Sequence, residues 1–98
     1  MVEIRRTRVF TEWFRKLRDE RAKARIDARV SRLENGLFGD VKYFQGIGEL
    51  RIDHGPGYRV YFATDGERVV VLLCGGDKRT QTADIRRAKQ FWSRYRSE

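Results

Sequence analysis

The spacing of apolar residues predicts that the chain begins with a short strand and continues into two helices. Val2 and Ile4 alternate with charged residues, which indicates a strand over residues 2–6 with one buried face. Beyond it, apolar residues recur at helical spacing, and Thr7 or Thr11 is suited to cap the start of a helix. The predicted buried stripe of this first helix is Phe10, Trp13, Phe14 and Leu17.

A second helix follows closely, and the two helices are predicted to form a hairpin. Asp19 is suited to cap the start of the second helix. Asn35-Gly36 is suited to end it, because both residues accept the left-handed backbone conformation. The predicted buried stripe of the second helix is Ala22, Ile26, Val30 and Leu33.

The second half of the chain has the period of β-strands. Val41–Phe44 is predicted to begin a strand, with a bend at Gly46-Ile47-Gly48. Alternation through residues 49–62 places Arg51 on the polar face before a corner at Gly55-Pro56-Gly57. It places Arg59 and Tyr61 on the polar face after that corner.

If the corner pairs these two strands, Arg51, Arg59 and Tyr61 share one surface. A surface with two guanidinium groups and a phenol is suited to a phosphodiester, because an arginine fork binds two phosphate oxygens at once. This stretch therefore carries the candidate chemistry of the chain.

Two further strands and a last helix complete the predicted pattern. A strand over residues 58–64 leads into Asp65-Gly66, a hairpin signal, and then into the run 68–74. Residues 69–73 are apolar without alternation, which is typical of a strand covered on both faces. The last helix is predicted over residues 82–94, with Ile85, Ala88, Trp92 and Tyr95 along one side.

The segment Gly75–Arg79 is predicted to be a glycine-rich turn before the last helix. It has neither the spacing of a Walker loop nor a Gly-x-Gly-x-x-Gly pattern. Two cations before a helix N-terminus can still bind an anion through free N–H groups, and the alternative is an ordinary connecting turn.

Length and charge narrow the choice of function. The 98 residues predict one domain over residues 1–98. A net charge of +8 favours a polyanionic partner, with nucleic acid ahead of an acidic protein or an anionic membrane surface. No apolar run approaches the length of a spanning helix, and the N-terminus lacks the apolar core of a signal peptide, so we expect a cytoplasmic protein without a membrane partner.

The cysteine and histidine content argues against a metal centre. Cys74 ends an apolar run, so it is predicted to be a buried structural thiol rather than a nucleophile. One cysteine and one histidine cannot close a zinc site, and the sequence shows no carboxylate cluster. We therefore expect chemistry without a metal or cofactor.

Basic residues are concentrated in the predicted helical hairpin. Eleven of the 22 basic residues precede Gly36, against six acidic residues in the same part of the chain. Such an excess attracts a polyanion at long range, and the alternative is a merely solvated face. The basic residues of the two helices are Arg15, Lys16, Arg18, Arg21, Lys23, Arg25, Arg29 and Arg32.

Several short motifs occur together along nearly the whole chain. They are Phe10-x-x-Trp13, Leu17, Ala24-Arg25-Ile26, Arg29-Val30, Asn35-Gly36, Phe38-Gly39-Asp40-Val41-Lys42, Glu49-Leu50-Arg51-Ile52, Gly55-Pro56-Gly57-Tyr58-Arg59-Val60-Tyr61, Leu72-Leu73-Cys74-Gly75-Gly76-Asp77-Lys78, Gln81, Asp84-Ile85 and Ala88. In this combination the chain resembles toxins of the RelE/ParE superfamily, and more narrowly the HigB-like, phage-related addiction-module killer proteins.

The resemblance implies an α+β protein with a RelE-like fold. In that fold an N-terminal helical hairpin packs on a mostly antiparallel four-stranded sheet, in the order βααβββα. It also implies the toxin of a type II toxin–antitoxin system, neutralised by a cognate antitoxin that in this subgroup is usually a helix-turn-helix protein.

The resemblance leaves two targets open, because fold does not fix function. Toxins of the RelE and HigB type cleave mRNA in the ribosomal A site, which predicts a metal-independent, ribosome-dependent endoribonuclease that inhibits translation. ParE relatives poison DNA gyrase without nuclease activity, which is the alternative. A third interpretation, a non-toxic nucleic-acid-binding or structural domain, requires only the positive charge.

The resemblance also assigns roles to individual residues. Arg59 matches the arginine of a Tyr-Arg pair on the third strand, and Arg79, with Lys78 beside it, matches an arginine of the loop after the last strand. Arg51 matches the second of two strand lysines and keeps its charge, whereas Glu49 reverses the charge of the first. The family pattern has a tyrosine or histidine on or near the last helix. At that position this chain has Ile85 or its neighbours, which exchange no proton.

For attack of a ribose 2′-OH on the adjacent phosphate, we expect Arg59 and Arg79 to stabilise the developing charge, with Arg51 or Lys78 positioning the RNA backbone. His54 is the candidate general acid or base, unless it is a solvated histidine beside a turn. Tyr61 is a second candidate for proton transfer or base stacking, unless it packs in the sheet. The residues expected to bind RNA or the ribosome are Arg15, Lys16, Arg18, Arg25, Arg29 and Tyr58.

Overall fold

The computed structural model of the protein describes residues 1–97. Its elements are β1 (Glu3–Arg6), α1 (Arg8–Lys16), α2 (Glu20–Glu34), β2 (Val41–Phe44), β3 (Ile47–Ile52), β4 (Tyr58–Asp65), β5 (Val69–Asp77) and α3 (Gln81–Ser97). A 3₁₀ turn over Lys78–Thr80 joins β5 to α3. Within residues 1–97, no helix has both the length and the apolar character needed to cross a membrane.

The five strands form one mixed sheet in the order β1-β5-β4-β3-β2, with β1 parallel to β5 and the other pairs antiparallel. The α+β class is confirmed, but the predicted four-stranded sheet and the order βααβββα are wrong. Val41–Phe44 is a strand of its own, because Gly46, with a φ of +83°, reverses the chain and pairs Phe44 with Ile47. The observed order is βααββββα.

The N-terminal helical hairpin begins and ends where the sequence predicts. The Thr7 hydroxyl accepts a hydrogen bond from the Phe10 N–H, and the Asp19 carboxylate accepts from the first turn of α2. Gly36 follows α2 with a φ of +75°, in the left-handed region expected after a helix. All four residues of the predicted α2 stripe are buried.

Helices cover both faces of the sheet. The face under α1 and α2 packs Ile26, Leu50 and Phe62 into one apolar cluster. The face under α3 packs Val71 and Ala88 into a second. Because β5 lies between these two clusters, its apolar run has no alternation, as predicted.

Candidate functional site

The β3–β4 hairpin brings two arginines together. Arg51 and Arg59 are direct cross-strand partners, so their side chains leave the same face of the sheet. The corner between them turns through Gly55 and Gly57, which have φ values of +56° and +80°. The predicted pairing across this corner is confirmed.

An open cleft of about 470 Å³ lies at this corner, and we call it the arginine cleft. Its side-chain cations are Arg51, Arg59 and Lys78, and its carboxylates are Asp40 and Asp53. Ile52 and the corner residues 55–57 complete its lining.

Gly57 lies close to two of the cations of the cleft. A Cβ atom on Gly57 would lie 3.4 Å from Lys78 Cβ and 3.6 Å from Arg59 Nη1. The backbone of the corner therefore lies directly against both side chains, and the cleft gathers cations from β3, β4 and the turn after β5.

Arg59 is held inside the protein rather than on its surface. Its exposed fraction is only 7%, its Nη1 lies 3.5 Å from the Tyr58 carbonyl oxygen, and its Nε has no hydrogen-bond partner. A buried guanidinium with donor capacity left over is unusual, because buried polar groups are nearly always paired. Because Arg59 lines the cleft with its Nη atoms beside Gly57, these are the donors that an anion entering the cleft would meet.

Glu49 lies beneath the two arginines, and its role was missed by the sequence analysis. Its carboxylate is fully buried, with Oε1 3.6 Å from Arg51 Nε and 3.9 Å from Arg59 Nε. Oε2 accepts hydrogen bonds of 2.9 Å from the Tyr61 hydroxyl and from Gln81 Nε2. The available signal was the alternation of β3, which places Glu49 on the same face as Arg51.

Tyr61 lies on the predicted face, but the prediction that it lies at a surface is wrong. It is fully buried in the cluster under α3 and donates its hydroxyl to Glu49. Burial, and then the hydrogen bond to Glu49, raise the pKa of the phenol well above its ordinary range. The hydroxyl is thus committed to the carboxylate and is not presented to a substrate.

His54 points to the helical hairpin instead of the arginine cleft. Its Nε2 lies 3.0 Å from Oδ2 of Asp19, the cap of α2, and it is not among the residues that line the cleft. The Ala22 N–H and then His54 lower the pKa of Asp19, because both interactions favour the carboxylate. The structure thus gives His54 a contact with the helical hairpin.

Arg79 also lies apart from the arginine cleft. Its Nη2 lies 3.1 Å from Asp77 Oδ2, and its backbone N–H donates to Asp77 Oδ1 at 2.8 Å. Lys78, not Arg79, is the cation of this turn that lines the cleft. The structure therefore brings together Arg51, Arg59 and Lys78 of the residues predicted to be catalytic.

The predicted glycine-rich turn is wrong, because Gly75 and Gly76 belong to β5. A Cβ atom on Gly75 would lie 2.2 Å from the Trp13 ring, and one on Gly76 would lie 1.8 Å from Asp84 Oδ2. These glycines are needed where α1 and α3 approach the strand from its two sides, and not for a bend.

In the turn predicted as an anion site before the last helix, backbone N–H groups donate to side chains of the turn itself. The Asp77 carboxylate accepts the N–H of Arg79, and the Thr80 hydroxyl accepts the N–H of Asp77. Since these donors are already used, the structure favours the alternative of an ordinary connecting turn.

Two of the residues predicted to bind RNA have side-chain contacts with other elements of the fold. Arg29 donates to the carbonyl oxygens of Phe38, Asp40 and Arg51, and so ties α2 to the loops around the cleft. Tyr58 packs edge-on against Trp13, with ring centroids 6.4 Å apart. The remaining four, all exposed, are Arg15, Lys16, Arg18 and Arg25.

Cys74 is a buried free thiol, as predicted. Burial raises its pKa to about 12, and Asp84 adds to the shift. Within residues 1–97, no group of three or more histidine, cysteine, aspartate or glutamate side chains is placed to hold a metal ion.

Comparison with known proteins identifies the family. The family model described as phage derived protein Gp49-like (DUF891) matches residues 12–93. The chain is similar to an uncharacterized protein of Haemophilus influenzae strain Rd, with 53% identity over 89 residues that cover 90% of each chain. No solved structure shows a significant match. The protein belongs to the phage-derived Gp49-like family, which falls in the RelE/HigB-like group of toxin–antitoxin toxins.

Proposed function

We propose that the protein is the toxin of a type II toxin–antitoxin system and that it cleaves mRNA on the ribosome as an endoribonuclease. Family membership supports the toxin class. The observation that carries the nuclease assignment is the convergence of Arg51, Arg59 and Lys78 in one open cleft. The proposed partners are a cognate helix-turn-helix antitoxin, the ribosome and its mRNA.

The cleft fits the charge that develops during RNA cleavage. As the 2′-oxygen bonds to phosphorus, negative charge builds on the non-bridging oxygens, and the P–O5′ bond then breaks to leave a 2′,3′-cyclic phosphate and a 5′-hydroxyl. Arg59 is held in place and stabilises this charge, while Arg51 and Lys78 bind the flanking backbone. Prepositioned cations are worth most in such a site because they need no reorganisation.

The side chains available for proton transfer in the cleft favour a reaction that depends on the ribosome. In the part of the chain that the structure describes, neither a histidine nor a tyrosine lines the cleft. The proton of the 2′-OH must therefore pass to a group brought by the substrate complex, or to the rim carboxylates Asp40 and Asp53, and these groups must also return a proton to the leaving 5′-oxygen. A protein that supplies mainly charge stabilisation needs a host that orients the RNA.

The Arg59→Ala variant tests this function directly. Removing one transition-state cation is expected to lower cleavage by about 10²-fold or more, measured as new mRNA 5′ ends in a translating extract. Arg86→Ala, which removes an equal charge from the exposed side of α3, is the matched control and should cleave normally. Both variants should still bind the antitoxin, and growth arrest that persists in Arg59→Ala would contradict a catalytic role.

Inhibition of DNA gyrase is the second candidate function. It is favoured by the same lack of a lining histidine or tyrosine in the described residues, because a binding module needs no proton transfer. Supercoiling of plasmid DNA by gyrase, measured with and without the protein, decides between the two. Codon-linked mRNA ends with unaffected supercoiling would dismiss the gyrase target.

A further inference from the structure

Burial of the Glu49 carboxylate costs more free energy than a purely structural contact explains. A carboxylate with no exposed surface has lost its hydration, and that loss is rarely recovered by a single ion pair. Here the contacts replace the lost hydration only in part, because both Glu49 Oε1 and Arg59 Nε are buried without a hydrogen-bond partner. The two atoms are 3.9 Å apart, too far for a hydrogen bond.

The remaining contacts fix the carboxylate itself. Tyr61 and Gln81 both donate to Oε2, one from the sheet and one from the first residue of α3. Oε1 is thereby left facing the Nε atoms of Arg51 and Arg59. The carboxylate attracts each guanidinium from the side of its Nε, so the Nη groups remain available on the side of the cleft.

We propose that Glu49 is a positioning residue that aligns the Arg51 and Arg59 guanidiniums toward a phosphodiester in the arginine cleft. This inference rests on the proposed function, since it concerns the same cleft. From the sequence, Glu49 was expected only to reverse the charge of a family lysine. In the proposal, Tyr61 and Gln81 hold the Glu49 carboxylate in place.

The proposal predicts that binding and turnover change in opposite directions when the carboxylate is neutralised. Glu49→Gln removes a negative charge beside the cleft, so an anionic ligand should bind more tightly. The same change releases the two guanidiniums, and misplacing a stabilising group by about 1 Å costs on the order of 10²-fold in rate. A purely structural residue would instead weaken binding and turnover together.

The experiment compares Glu49→Gln with Glu67→Gln in the full chain. Glu67 is exposed in the turn at the other end of β4, so its substitution gives the same net charge without touching the cleft. Affinity is measured with a short all-2′-deoxy oligonucleotide, which lacks the attacking hydroxyl and is not cleaved. Turnover is measured on programmed ribosomes, and a thermal melt confirms that each variant is folded.

The expected result is that Glu49→Gln binds the oligonucleotide at least about threefold more tightly than Glu67→Gln and cleaves at least about tenfold more slowly. Equal behaviour of the two variants overturns the proposal. So does a parallel loss of affinity and turnover in Glu49→Gln. If Glu49→Gln does not fold, Tyr61→Phe, which removes one donor to the carboxylate, must lower turnover without weakening binding, and unchanged turnover overturns the proposal.

The two hypotheses fail separately. If the wild-type protein cleaves no mRNA, the proposed function falls, and the oligonucleotide affinities alone decide whether Glu49 aligns the cations. If Glu49 aligns the guanidiniums, Arg59→Ala costs less oligonucleotide affinity in the Glu49→Gln background than in the wild type, and equal costs in the two backgrounds overturn the alignment.

Discussion

The thiol of Cys74 shows what burial does to a single ionisable residue. Its pKa of about 12 means that, at pH 8, the folded protein holds more than roughly 10³-fold less thiolate than an exposed cysteine with a pKa of ~8.5. We expect a disulfide reagent to label Cys74 only after unfolding in urea. A Glu67→Cys variant in a Cys74→Ala background places the thiol in an exposed turn, and it should be labelled at once in the folded state.

The same residue makes stability fall at alkaline pH. The unfolded thiol ionises above about pH 8.5, whereas the folded thiol stays protonated until about pH 12. The unfolded state therefore gains from ionisation first, and the free energy of unfolding decreases as pH rises through this window. Rapid labelling of Cys74 in the folded wild type would contradict the burial on which this expectation depends.

Individual residues also explain why part of the site could not be predicted. The pairing of Arg51 with Arg59 follows from alternation and a glycine corner, both of which are local. The burial of Tyr61 and Glu49 is not local, because it depends on α3 packing over the far side of the sheet. Gly75 was assigned to a turn by its residue type, whereas the contact that requires it comes from Trp13 on α1.

Among the elements, α2 depends most clearly on one side chain at its start. Asp19 accepts the N–H groups of Arg21 and Ala22 and also contacts His54, so it joins the helix start to the loop between β3 and β4. We expect Asp19→Ala to lower the melting temperature by about 5 °C, whereas Asp19→Asn keeps a capping oxygen and should lower it less.

The pH dependence of stability separates two contributions of Asp19, the capping hydrogen bonds and the negative charge. The folded pKa of Asp19 is lowered, so its contribution is complete above the unfolded value of about 3.9 and is lost as pH falls through the folded value. Melting curves in that acid range should decline less steeply for Asp19→Asn than for the wild type. Identical acid slopes would show that Asp19 is not held in its charged form.

Elements with a strong local pattern were predicted well, and those defined by their partners were not. The α2 stripe and its cap are encoded by residues close together in sequence. The unbroken apolar run of β5 indicates that both of its faces are covered. β2 has only four residues and a half-exposed pattern, so nothing in it indicates a separate strand until Phe44 pairs with Ile47. The parallel pairing of β1 with β5 joins residues 66 positions apart, such as Glu3 and Val69, and has no local signal.

At the scale of the whole molecule, the positive charge forms a path toward the cleft. Arg25 and Arg32 of α2 line a small hollow that also includes Asp53, and Asp53 lines the arginine cleft as well. Under the proposed function, these cations on α2 would attract an RNA backbone before it reaches Arg51 and Arg59. The net charge of +8 attracts a polyanion but does not determine where on the surface it binds. The testable quantity is therefore the distribution of the charge.

We expect reversal of charge along this path to weaken RNA binding more than the same reversal elsewhere. The double variant Arg25→Glu/Arg32→Glu and the control Arg86→Glu/Arg94→Glu carry the same total charge, and the control residues are exposed on α3 and do not line the arginine cleft. For single-stranded RNA, the logarithm of the binding constant falls with the logarithm of salt concentration by about 0.7 for each phosphate neutralised. The α2 variant should lose about one to two such contacts in its salt slope, while the control keeps the wild-type slope. Equal slopes would mean that only net charge acts and that α2 does not guide RNA to the cleft.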